Sequence, residues 1–348
     1  TAKSTLMALG IGYRCKNPTR DILEHYFYDF PRVPKSRVTV QKGPGKKTSK
    51  TNRRCMPLNS RLPPEILLDL DLASLGMLRL VDTTCKQLVE SLPAYSLLRA
   101  HAYKTLHIIH TTRNSSYYPI RKLFAQFCHP WCRTCSDFGP FLYLPTMTRC
   151  CYKCNFTGSS YQLARVSDIR LHFGLTEKDI KSIPIVHDIP QPRVRLARVA
   201  AAKALGKQRH GTKTAMDQTY KARVKEHKRS YQRRMQEWRN DQEQGKKGPQ
   251  PRYGSVRQEL GIENDGTCLR MNATVPFPYW NRQTQTLEPG TYCRACTYYW
   301  EEGIANDWRR QETVWHPHPP SREACYRAFL EADLPEHFRR CAAVKANY

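Results

Sequence analysis

Cys132-Arg133-Thr134-Cys135 and, after 15 intervening residues, Cys151-Tyr152-Lys153-Cys154 are the stretches that decide how this chain must fold. A Cys-x2-Cys knuckle turns the backbone so that two thiolates point at one centre. Two knuckles at this spacing make the tetrahedral four-sulfur set that zinc favours. Phe138 to Pro145, between them, is apolar and reads as a small strand or as a segment packed on the site. Cys150 competes with Cys151 for one ligand position, and Cys128 and His129 are nearby spares. Cys151 is preferred because it completes a knuckle with Cys154. The alternatives are a cluster of buried reduced thiols and a redox-active pair, the latter disfavoured because no βαβ pattern surrounds it.

A second knuckle, Cys293-x2-Cys296, follows Gly290, and Glu336-His337-Phe338-Arg339-Arg340-Cys341 lies downstream. His337 and Cys341 stand four apart, so on a helix they share a face and can close a Cys-Cys-His-Cys site. Cys268, Cys325, His316 and His318 are the competitors. Both sets reach four ligands, whereas a catalytic zinc keeps one position open for water. About two structural zinc ions are therefore expected and no catalytic residue. With no phosphate loop, HExxH or nucleophile elbow in sight, the chain is not expected to be an enzyme.

The 348 residues have room for about two domains. They carry 57 Lys plus Arg against 30 Asp plus Glu, a net charge of +27, together with 14 Cys and 24 Pro. Residues 1–56 hold 13 basic and 3 acidic residues, and residues 193–252 hold 18 and 5. Only four units of the excess lie elsewhere, so the remainder is close to neutral. Charges break every apolar run, so no membrane span is expected. The short run from Leu6 to Ile11 is interrupted by Gly10 and lacks a cleavage site, which argues against a secretory signal. A start at Thr1 fits a fragment or a processed form. Cysteines used as metal ligands or buried thiols then suit the reducing cytoplasm or nucleus.

Local signals divide the chain into five segments. Residues 1–56 read as a flexible basic arm. Residues 57–112 read as short apolar helices: Pro63 and Pro64 suit a first turn, Asp71 and Ser74 cap a second helix, and Pro93 ends a third that carries Cys85, Leu88 and Val89. Residues 113–192 hold the first metal region, followed by a helix start in which Thr176 caps, Asp179 sits three residues on and Leu175 staples to Ile180. Residues 193–252 read as a basic helical insertion, with Met216, Tyr220, Val224, Tyr231, Met235 and Trp238 forming a thin apolar stripe. Residues 253–348 hold the second metal region and a C-terminal helix. The fold class is α+β: a helical cluster, then a mixed, helix-rich region organised by two structural zinc sites, with the basic insertion within it.

Leu62-Pro63-Pro64-Glu65-Ile66-Leu67-Leu68, with Asp71-Leu72-Ala73-Ser74-Leu75 and Leu78-Arg79-Leu80-Val81, resembles an F-box, the motif of substrate receptors of SCF ubiquitin ligases. LPTMTRCCYKC from Leu144, FGLTEKDIKSIPIV from Phe173, VPFPYW from Val275, YCRAC from Tyr292 and EHFRRC from Glu336 resemble fungal F-box domain-containing proteins in particular. The resemblance implies a non-catalytic adaptor that recruits a protein substrate of unknown identity. It implies docking on the adaptor subunit of the SCF ligase through Leu62, Pro63, Ile66, Leu67, Leu70, Leu75, Leu78 and Val81. Between Leu67 and Leu72 the chain is shorter than the usual motif by about one helical turn. The rival expectation, motivated by the basic arms, is a zinc-dependent protein that binds nucleic acid, with the charge acting nonspecifically.

Overall fold

A computed structural model describes residues 12–13, 63–188, 193–246, 248–253, 260, 269–297 and 322–347. Leu62, Cys268, His316, His318 and all of the basic arm except Gly12 and Tyr13 lie outside these residues. The chain is α+β, with many helices and several small antiparallel sheets. It divides into two compact units: Thr1–Leu106 with Tyr118–His129 and Pro278–Tyr348, and His107–Tyr117 with Pro130–Phe277. No helix among the described residues is long and apolar enough to cross a membrane.

The first unit begins with helices set by their caps. Pro64 opens the helix Pro64–Leu68, where its missing N–H costs nothing. Asp71 ends the run by capping the next helix, Leu72–Leu78: the Ser74 N–H donates to its carboxylate at 2.8 Å. Asp82 does the same for Thr83–Ser91, accepting from the Cys85 N–H at 2.6 Å. Pro93 then stops that helix and starts Pro93–His101. The buried positions Leu67, Leu75, Cys85, Val89, Leu98 and Phe127, drawn from successive short helices, form the interior of this cluster. Trp280, on the hairpin Tyr279–Asn281 and Thr286–Glu288, stacks on Phe127 at 6.3 Å between ring centroids. A three-stranded sheet completes the unit, with Thr291–Cys293 flanked by Gly12–Tyr13 and Ala328–Phe329.

The second unit holds two three-stranded sheets. In one, Phe141–Tyr143 is central between Thr148–Cys150 and Thr274–Pro276, so the apolar stretch between the knuckles is indeed a strand. In the other, Arg195–Arg198 is central between Leu163–Arg165 and Ile185–His187. The expectation of continuous helix from residue 193 fails at this strand. Leu196 and Ala197 are buried between two partner strands, and that pairing outweighs the helical charge pattern around them. Arg195 donates both terminal nitrogens to Glu177, at 2.5 and 3.2 Å. The helix Glu177–Ile180 starts with the expected reciprocal cap between Thr176 and Asp179.

The helix Val199–His210 leads through Gly211, at φ +71°, into the 31-residue helix Lys213–Glu243. Thr212 caps the long helix, accepting from the Ala215 N–H at 3.2 Å. Met216 anchors it in the core formed by Ile169, Phe173, Leu175 and Ala202. Arg223 then donates to the carbonyls of Arg170, Gly174 and Leu175, satisfying the end of the helix Val166–His172.

Two candidate metal centres

The first centre is built by a knuckle, a strand pair and a helix start in succession. Trp131 and Phe138 pair across a tight turn, in which the Cys132 N–H donates to the Asp137 carbonyl at 2.7 Å. Ser136 takes φ +61° to close that turn. The Thr134 N–H points back at Cys132 Sγ, 3.4 Å away. The hairpin of Phe141–Tyr143 and Thr148–Cys150 then carries the chain to Cys151, which caps the helix Tyr152–Thr157. There the Cys154 N–H donates to Cys151 Sγ at 3.4 Å. Cys151 and Cys154 lie one turn apart at a helix start, so both sulfurs face the same way. Amide donors aimed at sulfur favour the thiolate, the form that binds metal.

The four Sγ atoms of Cys132, Cys135, Cys151 and Cys154 lie within 4.8 Å of one another and can hold a metal ion. Cys135 is exposed and the other three are buried. Four sulfurs this close cannot all ionise without a counter-charge. A hydrogen bond from Cys151 pulls the Cys132 thiol down to about 4. That same bond, with burial, pushes Cys151 far above its ordinary value. Burial, and next a hydrogen bond with Cys135, pushes Cys154 up to about 12. A divalent cation at the centre would supply the missing positive charge and release those protons.

Cys150 does not belong to this set. It is fully buried in the strand that ends there, paired with Phe141, while Cys151 begins the cap. Consecutive extended residues point to opposite sides, so only one of the two can face the centre. Cys128 and His129 belong to the other unit.

Supports that no sequence motif marks hold the centre in place. Arg149, fully buried, donates to the carbonyls of Gly139 and Phe277, each at 2.6 Å, and lies over the Phe277 ring. A side chain at Gly139 would place its Cβ 2.7 Å from Arg149 Cγ, so the backbone after the knuckle must remain bare. The Thr134 hydroxyl meets the Tyr161 hydroxyl at 2.7 Å, tying the knuckle to the chain that follows the helix.

The second centre joins three parts of the first unit. Cys293 ends the central strand Thr291–Cys293, which starts after Gly290 at φ +94°. A helical turn at 294–297 brings Cys296 round, with the Thr297 hydroxyl donating to the Cys293 carbonyl at 3.1 Å. His337 sits in the helix Leu334–Arg340, and Cys341 terminates that helix with its N–H on the His337 carbonyl at 2.8 Å. The ligand atoms of Cys293, Cys296, His337 and Cys341 again lie within 4.8 Å and can hold a metal ion. Cys296 Sγ is 3.2 Å from Cys341 Sγ and 3.7 Å from His337 Nε2. All eleven described cysteines are free of disulfides. Hydrogen bonds from Cys293 and Cys296 pull the Cys341 thiol strongly down, and the same crowding pushes Cys296 strongly up. The Phe329 ring, 4.2 Å from the His337 ring, fixes the imidazole's place. Cys325 is buried but stands outside the ligand set.

The expected docking residues divide. Pro63, Ile66 and Val81 are exposed and Leu70 and Leu78 are half-buried. Leu67 and Leu75, at 1% and 0% exposure, are core residues and offer no docking face. The large apolar side chains that face water here are Ile66 and Met77 on the helices and Leu80 and Val81 in the turn after Leu72–Leu78, the last three at 68%, 78% and 69% exposure. Comparison with protein-family models, curated proteins and solved structures finds no match to this chain.

Proposed function

We propose that this chain is a non-catalytic interaction protein, an F-box-type adaptor whose two units are each folded around one structural zinc ion. Three thiolates with an imidazole, or four thiolates, are the soft set that selects zinc. Zn–S bonds of about 2.3 Å and Zn–N bonds of about 2.0 Å in a tetrahedron place sulfurs about 3.8 Å apart and sulfur and nitrogen about 3.6 Å apart. Separations of 3.5 Å for Cys135 and Cys151, and of 3.7 Å for Cys296 and His337, lie close to that geometry, while Cys296 and Cys341, at 3.2 Å, would have to part by about 0.6 Å to hold the ion. With four ligands each, the ions leave no position for substrate. They act on the fold, and the chain itself transfers nothing.

The observation that carries the adaptor reading is the row of water-facing apolar side chains Met77, Leu80 and Val81, within about one helical turn of one another. Apolar side chains clustered at such exposure are what a docking surface needs. Together with the F-box-like sequence, they fit docking on the adaptor subunit of an SCF ligase in the cytoplasm or nucleus, with a protein substrate held elsewhere on the chain. Mixing the purified chain with that adaptor subunit should give a one-to-one complex on gel filtration. Separate elution at micromolar concentrations would end the ligase reading while leaving the metal centres untouched.

A further inference from the structure

The helix Lys213–Glu243 has two sides with different fates. Its apolar side is occupied throughout: Met216 lies in the core of the second unit, the Tyr253 ring packs edge-on to Tyr231 at 4.9 Å, and Trp238 Nε1 donates to the Gly248 carbonyl at 2.9 Å. The chain returning at 248–253 therefore covers the outer half of the stripe, and Arg223 locks the inner half. With the helix fixed about its axis, the rest of its circumference must face water.

One flank of that exposed surface, centred about 110° round from the apolar stripe, carries Lys221, Lys225, Lys228, Arg229 and Arg239, all exposed. At 100° per residue they fall within about a quarter of the helical circumference, along a length of about 27 Å. The intervening positions on the same face are Gln232 and Gln236, while Asp217, four residues before Lys221, and Glu243, four after Arg239, stand at its two ends. None of the five cations forms an ion pair among the described residues.

We infer that this face is a sequence-independent binding surface for the phosphate backbone of duplex nucleic acid. A straight row of cations with only glutamines between them complements a regular line of phosphates. Stable membrane binding would add an apolar face free to insert, and here that face is covered. A protein partner would need an apolar anchor at the centre, and the face has none. Single strands would need exposed rings for stacking, and none lies on it. The metal centres take no part in this binding, which is independent of any adaptor docking.

The test is binding of the whole chain to a random-sequence duplex of roughly 20 base pairs across a salt series. The affinity should fall with salt at a log–log slope of about −4 or steeper, since each phosphate neutralised contributes about −0.9. Changing Lys221, Lys225, Lys228, Arg229 and Arg239 to Gln should flatten the slope by about four units and weaken binding at least about 100-fold at low salt. Glutamine keeps the helix, and the two-site variant Lys225→Gln/Arg229→Gln should flatten the slope by about two units even if the larger variant folds poorly. A wild-type slope shallower than about −2 would overturn the inference. So would unchanged binding in the two-site variant, or loss of duplex binding only when Lys46, Lys47, Arg53 and Arg54 become Gln. Vesicles rich in phosphatidylserine should bind more weakly than the duplex, and preferential binding to them over the duplex would also overturn it.

Discussion

Replacing Cys151 with serine should remove the ion from the second unit, lower the zinc content from about two per chain to about one, and melt that unit. Structural zinc contributes apparent free energies of about 10–16 kcal/mol to small metal-folded modules, and losing one of four ligands forfeits several of these. For a unit of this size, a loss of about 3 kcal/mol lowers the melting temperature by about 6–12 °C. Cys150→Ala should behave differently, because its fully buried sulfur lies in the strand and outside the ligand set. It should keep both ions and cost only about 1 kcal/mol of packing. Elemental analysis with a thermal melt on each variant checks the pair. An ion lost from Cys150→Ala and kept in Cys151→Ser would reverse the ligand assignment.

Leu75→Asp should unfold the helical cluster of the first unit. Truncating a fully buried leucine costs about 2–5 kcal/mol, and an unpaired carboxylate in its place adds to that. Since whole domains are stable by only about 5–15 kcal/mol, this single change reaches the scale of the fold itself. Leu80→Asp, at a position 78% exposed, should shift stability by less than about 0.5 kcal/mol. If the exposed row docks on the ligase adaptor as proposed, the same change should weaken that complex at least about 100-fold, the range of a central hot spot. Circular dichroism, thermal melts and adaptor titrations separate the two effects. Wild-type adaptor affinity in Leu80→Asp would remove Met77, Leu80 and Val81 from the docking surface.

What could be read directly from the sequence was local. The Thr176–Asp179 cap, the Asp71 cap, the stop at Pro93 and the spacing of each knuckle depend on residues within a few positions of one another. The Cys293, Cys296, His337 and Cys341 set spans a longer interval, yet it was legible because few residue types can bind a metal. Pairings that depend on distant chain left no such mark. Nothing near Thr274–Pro276 announces that it flanks Phe141–Tyr143, and nothing near Arg149 announces that a guanidinium will be buried against Gly139 and Phe277. The F-box resemblance placed Leu67, Leu75 and Val81 in one docking set, but a local motif alone cannot say which side of a short helix faces the interior. Across the helix break at Asp69 to Asp71, Leu67 and Leu75 face inward, and Met77, Leu80 and Val81 lie in water. The charge, too, changes meaning with structure: part of the basic excess of residues 193–252 is spread along one exposed face of a single fixed helix.

The most direct test of the account is the metal content and coordination of the whole chain, purified without chelator. Elemental analysis should give about two zinc ions per chain. X-ray absorption should show sulfur at about 2.3 Å with a minor nitrogen shell at about 2.0–2.1 Å, in the ratio expected from seven cysteines and one histidine. Stripping the metal should unfold both units together with their sheets. A chain that contains no bound metal, yet melts at the same temperature before and after chelation, would contradict the account.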